Sequence, residues 1–283
     1  MSILVTGSSG FIGSAIAARL CTSTKVVGLD VKPGPQTNHI GDIRDLETLL
    51  RATVGVSSII HTAALHAPHV RVSPDGDFWR INVQATEILI DAAKRNGIEK
   101  LVYTSSTSVY GHAMEPSDKA VWVDETLTPV PRDIYDETKL EAENVVRQAA
   151  DSKMATLVLR MSRCFKESAR KIALYRLYRG VDRRDVVQAH VLALNAPSSA
   201  DPTYNIGART PFEESDCTRL WNEADGIIEQ KLPGMSAYFR DRGWPLPTRI
   251  DRVYAIGKAV RELGFDPQYD FKKLIAGNSD PPI

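Results

Sequence analysis

The first thirteen residues constrain this chain more than any other stretch. Ile3-Leu4-Val5 is a short all-apolar run, followed at once by Thr6-Gly7-Ser8-Ser9-Gly10-Phe11-Ile12-Gly13. A strand without polar alternation fits a parallel sheet covered on both faces. From Gly10 to Leu20 the pattern is helical, with Phe11, Ile12, Ala15, Ile16 and Leu20 on one apolar stripe. A glycine turn between strand and helix lets backbone N–H groups approach a pyrophosphate, whose charge is favoured at a helix N-terminus. The spacing is Gly-x-x-Gly-x-x-Gly rather than the commoner Gly-x-Gly-x-x-Gly. Close helix packing would need the same glycines, so the turn alone leaves a structural reading open.

The rest of the chain continues this alternation. Strands are expected at Lys25–Asp30, Asn38–Ile43, Ser57–Thr62, Leu101 onward and Thr156–Arg160. Helices are expected at Asp45–Ala52, at Asp77–Arg95 with an Asn96-Gly97 stop, and from an Asp133 cap to about Ala150. Strands and helices at this spacing predict an α/β fold with a doubly wound parallel Rossmann sheet. Residues 1–160 read as the dinucleotide-binding domain. Residues 161–283 read as a smaller substrate-binding part, with 184–207 returning to the first domain. Past residue 160 the pattern is looser: a helix at Arg184–Asn195, a strand at Tyr204–Ile206, an irregular Gly234–Thr248 and a helix at Arg252–Leu263.

Bulk properties exclude several function classes. Thirty-five basic residues balance 35 acidic ones, so no electrostatic feature favours nucleic acid or an anionic membrane as partner. No apolar run is long enough to cross a bilayer, and the first apolar run is too short for a signal peptide. The three cysteines, Cys21, Cys164 and Cys217, are far apart and lack metal-ligand spacing, which fits a reducing cytoplasm. His61, His66 and His69 have no acidic or cysteine partner nearby in sequence, and no metal site is expected.

Asp30 adds chemistry to the glycine turn. It lies 17 residues past Gly13, at the end of the second strand. An acidic side chain there can bond the ribose hydroxyls of NAD and would repel the 2′-phosphate of NADP. Lys32 weakens that discrimination without reversing it. Asp42-Ile43, after the third strand, could flank an adenine, though a helix-start pair reads the same way. Tyr135 and Lys139 stand four apart on one helix face. A free tyrosine is a poor base near neutrality, but a nearby ammonium favours its phenolate. The pair could take a proton from an alcohol as hydride leaves its carbon. A solvated surface pair has the same spacing. Upstream, Thr104-Ser105-Ser106-Thr107-Ser108-Val109-Tyr110-Gly111 closes the fifth strand, where ligands of open α/β sheets bind.

Taken in order, these segments resemble the extended short-chain dehydrogenase/reductase superfamily, which includes NAD-dependent epimerases and dehydratases. The ordered matches also include His61-Thr62-Ala63-Ala64, Asn82-Val83, Leu159-Arg160, Arg184-Asp185-Val186, Tyr204-Asn205-Ile206-Gly207 and Leu263-Gly264-Phe265-Asp266-Pro267. The resemblance implies NAD as cofactor, held by Gly7, Ser9, Gly10, Phe11, Ile12, Gly13, Asp30, Asp42, Ile43, Ala63, Ala64, Asn82, Tyr135 and Lys139. It implies Tyr135 as general acid/base, with Lys139 holding the nicotinamide ribose. Ser106 would bind the substrate oxygen, and Asn82 would support the lysine through water. It also implies a homodimer formed by the helices carrying Asn82 and Tyr135.

Departures from the family pattern bear on the substrate. Tyr135 is followed by Asp136-Glu137 where the family often has a small residue. A carboxylate there opposes ionisation of Tyr135 if it faces inward. Only about 20 residues separate Phe165 from Arg184, where sugar-nucleotide enzymes of the family carry a substantial insertion. A nucleotide sugar is thereby disfavoured. The short interval is rich in arginine and lysine, and its compactness resembles uronate dehydrogenases. His66, Thr107, Ser108 and Arg163 are candidate substrate contacts. The expected activity is hydride transfer between NAD and a small sugar-like alcohol, acidic or neutral. An epimerase or dehydratase with no net cofactor change is the alternative. A cofactor-binding regulator is disfavoured, because tyrosine and lysine are both present.

Overall fold

The computed structural model describes residues 2–197, 199 and 201–275. In chain order, β1 (Ser2–Thr6) leads through the glycine turn into α1 (Phe11–Leu20), then β2 (Lys25–Asp30), β3 (His39–Ile40), α2 (Leu46–Ala52) and β4 (Ser58–His61). The helical stretch after β4 has three parts: α3 (Asp75–Phe78), a π-helical segment (Trp79–Gln84) and α4 (Ala85–Arg95). Next come β5 (Lys100–Ser106), β6 (Val121–Val123), α5 (Ile134–Ala149), β7 (Ala155–Met161), α6 (Ala169–Tyr175), α7 (Arg183–Asn195) and β8 (Thr203–Ile206). Helices α8 (Cys217–Asn222), α9 (Ala224–Lys231) and α10 (Met235–Arg240) precede β9 (Arg252–Tyr254), α11 (Gly257–Leu263) and α12 (Phe271–Ile275).

A seven-stranded sheet runs in the order β3-β2-β1-β4-β5-β7-β8. The pairings β1–β2, β1–β4, β2–β3 and β4–β5 are all parallel. All five residues of β1 are buried, as an all-apolar strand covered on both faces requires. Sequence order reverses at β1, with β2 on one side and β4 on the other. That reversal is the switch point at which open α/β sheets bind ligands.

The chain divides into two compact units. The first comprises residues 1–109, 131–160 and 187–204; the second comprises 110–130, 161–186 and 205–283. The sequence boundary at 160 does not anticipate that 110–130 belongs to the second unit. Its strand β6 pairs in parallel with β9, Val121 opposite Arg252 and Val123 opposite Tyr254. This pairing also corrects the helix expected at Arg252–Leu263: its first residues form a strand, and α11 begins only at Gly257. A partner so far away in sequence leaves no mark in local periodicity. Gly234–Thr248, expected to be irregular, contains α10. The core of the first unit joins Leu4, Leu49, Leu89, Leu101, Val146 and Val158. The core of the second joins Leu177, Phe212, Leu220, Ile228, Phe239 and Val253.

Candidate active site

The glycine turn is shaped by contacts that exclude side chains. Gly7 has φ +71°, and a Cβ there would lie 2.7 Å from Thr62 Oγ1. A Cβ on Gly13 would lie 2.1 Å from the carbonyl oxygen of Gly7. Only glycine lets α1 start this close to the end of β1. Helix α1 begins at Gly10 with no side-chain cap. Its N-terminus therefore keeps backbone donors and the positive end of the helix dipole for an anion. Beside it, Asp30 is held by two backbone donors, Ser9 N at 3.0 Å and Lys32 N at 2.9 Å. Ser9 Oγ donates to the Lys32 carbonyl at 2.7 Å, tying the turn to the β2 exit. A cradle that excludes Cβ atoms, an uncapped helix start and a fixed carboxylate at the ribose position fit a dinucleotide.

Asp42 and Ile43 behave differently from one another. Ile43 is buried in the core of the first unit. Asp42 is spent on Arg44, whose Nη2 lies 2.6 Å from Oδ2, and hydrogen bonds from Arg44 hold its pKa down. Ala63 and Ala64 follow β4 at the same sheet edge as the turn, and Ala63 N donates to Thr6 Oγ1 at 3.3 Å. Asn82, buried in the π-helical segment, clamps the Leu65 backbone. Leu65 N donates to Asn82 Oδ1 at 2.8 Å, and Asn82 Nδ2 donates to the Leu65 carbonyl at 3.2 Å and to Thr138 Oγ1 at 3.2 Å. The continuous helix expected at Asp77–Arg95 is widened here, as helices often are at functional positions.

Tyr135 and Lys139 lie on the buried face of α5. Helix α5 starts at Asp133, whose carboxylate accepts from Asp136 N at 3.0 Å. Ser106, at the end of β5, acts on the Tyr135 phenol and favours its ionised form. Burial pushes Tyr135 up to about 12, against the effect of Ser106, and the charges of Asp136 and Asp133 push the same way. Lys139 is 3% exposed. Its Nζ donates to the Thr104 carbonyl at 2.7 Å and lies 4.1 Å from the Tyr103 ring centroid. Burial presses it down to about 7, opposed by Glu143. One turn on, Glu143 takes Arg160 through Nε and Nη2, Arg147 through Nη1, and the Ser105 hydroxyl.

The candidate substrate contacts divide. Thr107 is buried. Ser108 is half-buried, and its hydroxyl donates to Asp136 and accepts from Arg132 Nη2 at 3.3 Å. His66 is exposed by area, yet crowding around its ring, followed by the Lys139 and His69 charges, presses its pKa down to about 4. His61 is buried, with Thr6 Oγ1 on Nδ1 at 2.6 Å and Thr86 Oγ1 on Nε2 at 3.1 Å, so neither nitrogen is open to a metal.

Arg163 lies in the second unit and forms a double hydrogen bond with Glu167, at 2.9 and 2.7 Å. Nearby in sequence, Asp182 takes Arg176 at 2.8 Å and Arg184 at 2.9 Å. Three arginines of the basic interval are thus met by carboxylates of this chain.

Arg132, Thr138 and Glu143 were not singled out by sequence reading, and Thr104 stood there only as the first residue of the segment closing the fifth strand. Arg132 could have been found by its i,i+4 spacing to Asp136. Thr104 acts through its carbonyl, which every residue possesses.

The model of the NAD dependent epimerase/dehydratase family matches residues 3–173. An N-acetyl-alpha-D-glucosaminyl-diphospho-ditrans,octacis-undecaprenol 4-epimerase of Escherichia coli O157:H7 is 30% identical over 150 residues, 52% of this chain and 43% of that protein. The match therefore spans under half of that relative's length. A 3 beta-hydroxysteroid dehydrogenase/Delta 5-->4-isomerase of Mycobacterium tuberculosis is 28% identical over 96% of this chain and 88% of its own. Among solved structures, a short-chain dehydrogenase/reductase superfamily protein from Agrobacterium tumefaciens with bound NAD has a TM-score of 0.71 at 24% identity, covering 98% of this chain and 96% of that one.

Proposed function

Since this chain belongs to the NAD dependent epimerase/dehydratase family, we propose that it is a dehydrogenase acting on a small sugar-like alcohol, acidic or neutral. The observation that carries the chemistry is that Tyr135 and Lys139 share the buried face of α5, with Lys139 anchored on the Thr104 carbonyl of β5 and no carboxylate in ion-pair contact among the described residues. NAD, when bound, supplies the acceptor for the hydride. Gly7, Ser9, Gly10, Phe11, Ile12 and Gly13 would hold its pyrophosphate, and Asp30 its adenosine ribose. Asp42, Ile43, Ala63 and Ala64 would line the rest of its path, with Asn82 bracing the Leu65 backbone.

Tyr135 Oη takes the substrate hydroxyl proton while the neighbouring C–H bond gives up its electron pair, leaving a carbonyl. Ser106 holds the reacting oxygen. Lys139 stabilises the phenolate, and charge at an oxidised nicotinamide would do the same. In the reverse direction Tyr135 returns the proton. Burial of Tyr135 and Lys139 strengthens their interactions by excluding water.

The choice of a small substrate rests on the interval from Met161 to Asp182. It holds one helix of seven residues, and carboxylates of the chain engage three arginines in or beside it. Arg163, Arg176 and Arg184 are thereby engaged within the chain rather than left to meet a nucleotide diphosphate. The second reading, an epimerase or dehydratase that takes hydride and returns it, is favoured by the epimerase among the relatives. A homodimer through the helices carrying Asn82 and Tyr135 belongs to the same proposal, and light scattering tests it.

Calorimetry with saturating NAD decides between the substrates. Free sugars or uronates should bind, and UDP- and dTDP-sugars should bind weakly or not at all. A sugar nucleotide binding more tightly than every free sugar would overturn the small-substrate reading.

A further inference from the structure

The position after Tyr135 carries a carboxylate, and this side chain faces inward. Asp136 is fully buried. It receives the Ser108 hydroxyl proton, and it receives Arg132 through Nε at 3.1 Å and through the backbone N–H at 3.3 Å. Arg132 also donates from Nη2 to Ser108 Oγ at 3.3 Å. Ser108 N in turn donates to Ser106 Oγ at 3.1 Å, and Ser106 is the side chain that favours ionisation of Tyr135. A path of hydrogen bonds thus runs from Arg132 and Asp136 through Ser108 to Ser106, and Asp136 is the chain neighbour of Tyr135. Every member belongs to the first unit.

We propose that Asp136 and Arg132 are positioning residues that act as one ion pair, fixing the Ser106–Ser108 segment against Tyr135 and balancing the charge next to its phenol. A buried carboxylate alone beside Tyr135 would hold its proton on. A guanidinium alone would draw it off. Paired, the guanidinium offsets part of the Asp136 charge, and the pair supplies the hydrogen bonds that hold Ser108, and through it Ser106, in place. This inference rests on the reading of Tyr135 as acid/base.

The charged and titratable groups around Tyr135 are few. Asp133 caps its helix, and Lys139 lies one turn on. Tyr103 of β5 is coupled to Tyr135 by charge. His61 and His66, at and after β4, are coupled to Lys139. Within the network, only Asp136 and Arg132 can be changed in opposite senses while these neighbours stay constant. Asp136 is itself pushed up, by burial first, against the Ser108 hydrogen bond. Arg132 supplies the fixed positive charge that keeps it ionised.

The test requires no substrate. Protein labelled with [13Cζ]tyrosine and saturated with NAD+ is titrated by NMR, with Tyr135→Phe identifying the Tyr135 resonance. Asp136→Asn should lower the Tyr135 midpoint by about 1 pH unit, and Arg132→Gln should raise it by about as much. The double variant should return towards wild type. Asparagine and glutamine keep hydrogen-bonding capacity, so a common loss of structure would move both single variants alike. Arg132→Lys, which keeps the charge, should stay near wild type. Unmoved midpoints, or both single variants moving the same way, would overturn the proposal. Failure of the acid/base reading has a separate signature: Tyr135→Phe would retain full turnover whatever the titrations show.

Discussion

Two regions of this molecule concentrate charge, and they do so in opposite ways. In the first unit, Lys139 is buried against a carbonyl and an aromatic face, with no carboxylate in ion-pair contact among the described residues. In the second, three arginines of the basic interval meet carboxylates directly: Arg163 on Glu167, and Arg176 and Arg184 on Asp182. The difference separates two uses of charge. A paired buried charge has its desolvation offset and serves structure. A desolvated, unpaired one has its pKa displaced towards neutrality, the condition that proton chemistry requires. Lys139 is pressed down to about 7 by burial, whereas Arg184 is held up by its hydrogen bonds to Asp182.

The largest expected effect lies at Tyr135. Tyr135→Phe should lower turnover by about 10²–10⁴-fold in a protein whose melting temperature stays near wild type. Steady-state rates on any substrate the wild type oxidises provide the check.

The next prediction sets one region against the other. Arg176→Met leaves Asp182 buried with one partner fewer and should cost about 3–5 kcal/mol in denaturant unfolding. Lys139→Met removes a buried cation that has no carboxylate partner, so it should leave stability unchanged or raised while turnover collapses. If both variants lost stability equally, the division between paired and unpaired charge would fail.

A third effect separates two neighbours within the second unit. Asp182 is pulled down to about 2, because hydrogen bonds from Arg184 and the Arg176 charge outweigh the burial that would raise it. Its stabilising contribution is complete above the ordinary value of 3.8 and is lost as pH falls through 2. Asp185 is pushed up to about 6, by burial, against backbone donors from Gln268 and Tyr269. Its contribution is complete below 3.8 and is lost as pH rises through 6. Melting temperatures of Asp185→Asn should therefore vary less than wild type between pH 4 and 6. Asp182→Asn should flatten the profile only below pH 4.

The smallest effect is expected at Arg163. Its side chain is 42% exposed, and Arg163→Ala should cost about 1 kcal/mol or less. Chemical denaturation measures that cost, and a larger loss would give this pair a structural weight its exposure does not suggest.

Much of the first unit was legible in the sequence, because local pattern and local structure coincide there. Ile3–Val5 lies in β1, Asp133 caps α5, and Tyr135 and Lys139 share its buried face. The second unit was less legible because long-range pairing decides it. Arg252–Tyr254 looked helical until Val121–Val123 supplied a strand partner. The basic interval suggested a substrate grip, but composition could not show that Glu167 and Asp182 already use three of its arginines. At the site, sequence flagged Asp136 as a departure without showing that Arg132 and Ser108 enclose it.

The central claim is net oxidation of a small alcohol with Tyr135 as the base. Its most direct test is absorbance at 340 nm during incubation with NAD+ across a panel of free sugars, uronates and sugar nucleotides. The account predicts sustained NADH accumulation over many turnovers with a free sugar or uronate, abolished by Tyr135→Phe. Conversion of a sugar nucleotide to an isomer or dehydrated product with no NADH accumulating, and none on any free sugar, would contradict it.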